Sequence, residues 1–150
     1  LCACVEGGAV IGFVLPFSQT KAEAFWQSRL EGIQSGDRYL LVAIQEGGIA
    51  GTVMLELAPQ DNGRHRAEIA KLMVHPKARR QGLASRLLAA AEDLALSLGR
   101  TLLVLDTVTG DTAETLYPKC GYKRVGVIPD YAMSATGGMD STTVFYKQLA

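Results

Sequence analysis

The sequence is poor in the residues that mark disulfide or metal chemistry. Cysteine occurs three times, at Cys2, Cys4 and Cys120, and histidine twice. An odd cysteine count, with no Cys-x-x-Cys pair and no paired histidines, gives neither a disulfide framework nor a zinc site. Reduced thiols packed as small hydrophobes fit better, and they point to a cytoplasmic protein that needs no metal. No apolar run approaches the roughly 20 residues of a membrane helix, so no membrane partner is expected. No basic-then-apolar leader opens the chain. An excess of one charge is missing too, because 15 basic residues balance 15 acidic ones. A nucleic-acid binder draws its affinity from surplus Lys and Arg, and the balance argues against that class. The patterns GxxxxGK[ST], GxGxxG and G-x-S-x-G are all absent, which excludes a P-loop, a dinucleotide fingerprint and a serine nucleophile elbow. Leu1 stands where an initiator methionine would, so a short N-terminal piece is expected to be missing.

What is present fits one domain. The chain has 150 residues, of which 48% are hydrophobic, enough for one sizeable core. No internal repeat or linker divides it. Leu1 to Val5 reads as the end of a helix stopped by Gly7 and Gly8. Ser18 or Thr20 opens a helix that runs to Gly36. Arg38 to Gln45 and Ile49 to Leu57 form a hairpin around Glu46-Gly47-Gly48. Ala67 to His75 is a further strand, stopped by Pro76. Gly82 to Gly99 is the clearest helix: Leu83, Leu87, Ala91, Leu94 and Leu98 fall within about 80° of arc at 100° per residue. Thr101 to Thr107 is a continuous apolar run, as in a buried parallel strand. Thr112 to Lys119 is a short helix, and Lys123 to Ile128 and Ser141 to Leu149 are the last strands. Pro129 to Asp140, rich in Gly and Asp, reads as a loop, either closing over a neighbouring site or simply solvated. Strand, helix and strand from 67 to 107 make one βαβ crossover in a largely antiparallel pattern. The class is therefore α/β or α+β with a mixed sheet.

The chemistry centres on Arg79-Arg80-Gln81-Gly82-Leu83-Ala84, between a strand end and the strong helix. The first N–H groups of a helix lack internal partners, and the dipole makes that end positive. Gly82 lets a ligand approach the backbone, small Ala84 keeps the first turn open, and Lys77, Arg79 and Arg80 add cations. Together they suit a pyrophosphate. Among acid–base candidates, Glu68 shares a strand face with Ala70, Leu72 and Val74 if alternation holds. A carboxylate in that company must be solvated in a cleft, paired or protonated. Asp106 ends the other strand of the crossover. If the two strands are neighbours, the carboxylates converge on one cleft, and repulsion raises one pKa. The plainer alternatives are a solvated strand-edge Glu68 and an Asp106 that caps the 107–111 turn. His65 and His75 read as surface or strand-end residues, and Phe25 and Trp26 as packing residues.

The pattern [QR]xxGx[GA], met here by Arg79, Gly82 and Ala84, resembles the acetyl-CoA signature of the GNAT superfamily of N-acetyltransferases. Arg66 to Pro76 followed by Arg79 to Ala84 is most similar to the tabtoxin-resistance branch. Leu103 to Thr107, Ala113-Glu114 with Tyr117, Gly121 to Gly126, Ile128 to Tyr131 and Tyr146 to Leu149 extend the likeness over nearly the whole chain. It begins inside the family's first helix, so the first strand and the start of that helix are expected to be missing from a single domain spanning 1–150. The resemblance implies a twisted mixed sheet whose two central parallel strands splay apart around the pantetheine arm of acetyl-CoA. It implies that backbone groups of Leu72, Met73 and Val74 pair with that arm. It also places Arg79, Arg80, Gln81, Gly82, Leu83, Ala84 and Ser85 at the cofactor's phosphates. Glu68 and Asp106 match positions regarded as catalytic, and Tyr117 matches the tyrosine that protonates the departing thiolate. The asparagine that many relatives carry near this helix is replaced by Thr109, Asp111 and Thr112.

The implied function is transfer of acetyl to the amine of a small molecule, with Glu68, Asp106 or both as base and Tyr117 as acid. A protein or peptide N-acetyltransferase, or an acyl-CoA-binding module without turnover, are the alternatives. Monomer and homodimer both fit the sequence.

Overall fold

The computed structural model describes residues 1–135 and 137–149. Among them, six strands form one mixed sheet in the order β1-β2-β3-β4-β6-β5. The strands are β1 (Arg38–Gln45), β2 (Gly48–Leu57), β3 (Arg66–Val74), β4 (Leu102–Val108), β5 (Lys123–Met133) and β6 (Met139–Gln148). The helices are α1 (Cys2–Glu6), α2 (Gln19–Gln27), α3 (Leu30–Ser35), α4 (Leu83–Ser97) and α5 (Thr112–Lys119). The predicted arc on α4 packs in part: Leu83, Leu87 and Ala91 are buried and Leu94 and Leu98 half-buried, while the buried face turns further, to Leu88 and Ala95. Leu87, Leu88, Ala91 and Ala95 join Val53, Leu55, Ala67, Ile69, Leu103, Leu105 and Phe145 in the main core. Among the described residues, no helix is long and apolar enough to cross a membrane.

β3 and β4 are the parallel strands of the crossover. They pair only through Arg66–Leu102, Ala67–Leu103 and Glu68–Val104, and beyond these positions they part. Each stays zipped to its outer neighbour, β3 to β2 as far as Val74 and β4 to β6 as far as Val108. The opening therefore lies between two anchored strands. That is the expected splay.

Three expectations need correction. The helix predicted from 18 to 36 is broken at Ser28 and Arg29. The Ser28 hydroxyl donates to the Phe25 carbonyl at 2.6 Å, and Arg29 N bonds back to Trp26 O, so the ladder tightens into a turn there. The loop predicted over 129–140 is mostly strand: β5 continues through Pro129 to Met133, and β6 starts at Met139. Pro129 is tolerated because β5 is an edge strand, and the ladder shifts register between Ile128 and Ala132 with Asp130 at φ 48°. Alternation along β3 also fails. Lys71 sits at φ 51° in a bulge where β2 loses register between Thr52 and Met54. Ile69 and Leu72 consequently pack into the same core, and Glu68 lies on the opposite face from Leu72.

Candidate active site

The parting strands floor a cleft of ≈ 820 Å³. Its walls come from residues 7–12, from the loop between β3 and α4, from α5, and from the β5–β6 hairpin. Glu68, Asp106, Tyr117, Leu72, Met73, Val74, Arg79, Arg80, Gly82, Leu83, Ala84 and Ser85 all line it. Of the residues the sequence singled out for the site, Lys77 is not on this wall, and neither is Gln81. Its side-chain oxygen accepts from Gln45 Nε2 at 3.0 Å, which turns it toward the β1–β2 hairpin.

At one end, Gly82 caps α4 at φ 72°, a left-handed conformation in which a Cβ is strained. Arg80 shares that conformation, at φ 62°. The first helical bond closes from Arg86 N to Gly82 O, so the amides of Leu83, Ala84 and Ser85 have no partner within the helix. They point a positive helix end at the cleft. Arg79 is partly committed to the scaffold, since its Nε donates to Val74 O at 3.4 Å. This end can hold a polyanion.

At the other end the carboxylates gather. Leu103 and Leu105 face α4, as do Ala67, Ile69, Val53 and Leu55. Their alternates Asp106, Glu68 and Glu56 therefore lie together on the opposite face, with Glu56 and Glu68 paired across β2 and β3. Glu68 is open to the cleft, but the protein surrounding its carboxyl raises its pKa above the ordinary carboxylate value. Burial is the largest cause, followed by Glu56 and Asp106, with Lys71 pulling the other way. Asp106 Oδ2 lies 2.7 Å from the Thr142 hydroxyl, which also reaches Thr107 O at 2.9 Å. The 107–111 turn is capped by other groups: Asp111 accepts from Thr112 N, and Glu114 accepts from Gly110 N. Asp106 is thus left to the cleft and to Thr142. Tyr117 packs against Tyr122 and Phe145, with ring centroids 5.8 and 5.5 Å away. Burial, then Asp106 and Asp111, push its pKa up to about 12, so it holds its proton at neutral pH.

Sequence reasoning missed Lys71 and Thr142. Nothing in the alternation of β3 marks a bulge, and Thr142 lies within β6, 36 residues from Asp106. His75, read as a strand-end residue, accepts from Lys77 N through Nδ1. Tyr122 is buried, as a packing residue should be.

A mixed sheet whose parallel pair opens beside the glycine-capped start of a helix has the α/β plan of the GNAT acyltransferases. The sequence model of the Acetyltransferase (GNAT) family matches residues 12–122, and the chain belongs to that family. It is 34% identical over 104 residues to an uncharacterized N-acetyltransferase from the hisH-hisA intergenic region of Azospirillum brasilense, across 68% of this chain and 60% of that protein. The chain thus spans well under two thirds of the length of this curated relative. The ribosomal-protein-alanine N-acetyltransferase of Brucella melitensis shares the fold at a TM-score of 0.80 and 23% identity, covering 97% of this chain and 88% of the other. A putative acetyltransferase of Salmonella typhimurium, solved with acetyl-CoA, matches at a TM-score of 0.78 and 20% identity, over 99% and 83%.

Proposed function

We propose that the protein moves acetyl from acetyl-CoA to the amine of a small molecule by direct transfer. The observation that carries this reading is the cleft between β3 and β4, with an anion-binding helix start at one end and Glu68, Asp106 and Tyr117 further in. Free amides of Leu83, Ala84 and Ser85, with Arg80, suit the diphosphate of CoA. The unpaired edge of β3 at Leu72, Met73 and Val74 suits the pantetheine amides, as another strand would. When bound, acetyl-CoA supplies an activated thioester carbonyl and a thiolate leaving group. Glu68 takes the proton from the acceptor ammonium, and its raised pKa fits a base that works near neutrality. Asp106 holds the ammonium beside it. A β3 amide near Met73 or Val74 donates to the carbonyl oxygen as charge develops. Tyr117 returns a proton to the thiolate. The segments Arg66 to Pro76 and Arg79 to Ala84 resemble the tabtoxin-resistance branch, and the amine panel below includes acceptors of that class.

A peptide acceptor needs an open channel. Tyr131, Ala132 and Asp140 of the β5–β6 hairpin line the cleft, and Leu15 N bonds Ala135 O at 3.4 Å, linking that hairpin to the N-terminal segment. That roof favours a small acceptor. The test is release of free thiol from acetyl-CoA across a panel of amines and peptides. Small amines should support turnover, and Glu68→Gln should lower kcat/KM by about 10²–10⁴-fold with CoA affinity retained. Tight CoA binding with no turnover on any amine would leave the non-catalytic module standing instead. An unchanged rate in Glu68→Gln would remove Glu68 as the base.

A further inference from the structure

Lys71 has no part in the chemistry above, yet its side chain is among the most constrained in the cleft. It stands at the β3 bulge at φ 51° and lines the wall beside Glu68. Its ammonium donates to the Ile11 carbonyl at 2.8 Å. The same nitrogen lies 5.6 Å from the ring centroid of Phe13 and 5.5 Å from that of Phe25. Gly12, at φ 91°, makes the approach possible, since a Cβ there would come within 3.3 Å of Lys71 Nζ. The segment is also tied at its start, where Cys4 Sγ reaches Val74 O at 3.6 Å. Residues 7–12 therefore cross the wall of the cleft between two attachments on β3.

We propose that Lys71 is a positioning residue that staples residues 7–12 over the acceptor end of the cleft and supplies the counter-charge beside Glu68. It acts through Ile11 and Glu68 and does not touch the reacting atoms. The charge part rests on the reading of Glu68 as base. The charged groups that face Lys71 are Glu56 on β2, Glu68 on its own strand, Asp106 on β4, and Arg29 between α2 and α3. Burial and Arg29 lower the Lys71 pKa, and the three carboxylates oppose them. Lys71 in turn draws the Glu68 pKa down against burial, Glu56 and Asp106. Loss of the cation therefore moves Glu68 to a still higher pKa, and a larger part of it is protonated at a given pH.

The test compares Lys71→Met, which keeps the aliphatic stem, with Lys71→Arg, which keeps the charge and a donor. In Lys71→Met, amide hydrogen exchange within residues 9–12 should speed up by about tenfold or more, as expected on loss of a bond to a charged donor. The acceptor KM should rise more than kcat falls, and the acid midpoint of the kcat/KM profile should move to higher pH. Lys71→Arg should restore the exchange rates and the midpoint. Unchanged exchange in Lys71→Met would overturn the staple. An acid midpoint common to wild type and Lys71→Met would overturn the counter-charge. Full turnover by Glu68→Gln would instead sink the base assignment and leave the exchange result standing.

Discussion

The two halves of β3 behave as different materials. From Arg66 to Glu68 the strand is paired on both sides, and Ala67 and Ile69 point into the core by simple alternation. From Lys71 to Val74 it is paired on β2 alone, bulged, and flipped in phase. The first half is scaffold, held by burial and two ladders. The second half leaves its other backbone edge facing the cleft, and its shape is set by one left-handed residue and by contacts with residues 7–12. A continuous sheet can build a site only where it stops being continuous, and here that point falls just past Glu68.

The largest effect that sharpens this contrast is on stability. Leu103 is fully buried on β4, opposite Ala67 in the paired half, and Leu72 is only partly buried beyond the bulge. Leu103→Ala should destabilise the fold by about 2–5 kcal/mol, read from denaturant midpoints at constant slope. Leu72→Ala should cost clearly less and leave CoA affinity nearly unchanged, because its proposed role is carried by the backbone. Equal losses would erase the distinction between the halves.

A smaller effect belongs to the far end of the cleft. Gly82 sits at φ 72°, and a Cβ there would meet no atom within 4 Å. Any penalty for Gly82→Val therefore comes from the backbone rather than from a clash. A left-handed residue with a Cβ costs about 1–2 kcal/mol, so relief of that strain by reshaping the loop should weaken CoA binding about tenfold by calorimetry. Wild-type affinity in Gly82→Val would show that the helix start tolerates reshaping and that the anion is held chiefly by side chains.

The regular half of the molecule was legible, and the reason is periodicity. Five leucines and alanines on one arc fixed α4, and the apolar run at 102–105 fixed a buried strand. Gly82 ahead of that arc marked the helix start, where it stands as a left-handed N-cap. The irregular half was not legible. A bulge adds one residue without any change in composition, so Lys71 carried no signal and Leu72 was placed on the wrong face. Gln81 sat inside the best motif of the chain, but its partner Gln45 is 36 residues away, and no local pattern reports such a bond. Pro129 suggested a loop, because edge-strand position is a tertiary fact. The broken helix at Ser28 depends on one hydroxyl competing for a carbonyl.

The smallest expected effect tests the contrast at its boundary residue. Glu68 is the last position of the paired half, and its ionised form is disfavoured in the fold by burial and by Glu56 and Asp106. A carboxyl whose folded pKa is raised binds its proton more tightly when folded than when unfolded. Stability therefore declines as pH rises from the unfolded value, about 4.5, through the raised folded value, and the penalty persists at neutral pH. Glu68→Gln mimics the protonated form. It should melt slightly above wild type at pH 7, and the difference should shrink as the pH drops below the ordinary carboxylate value. The contributions oppose each other in function and in folding: a site that makes a carboxylate basic also makes it uncomfortable to ionise. A Glu68→Gln variant that melts below wild type at pH 7 would mean that Lys71 outweighs burial and the two carboxylates together. Ionised Glu68 would then stabilise the paired half of β3, against the raised pKa on which its proposed role as base rests.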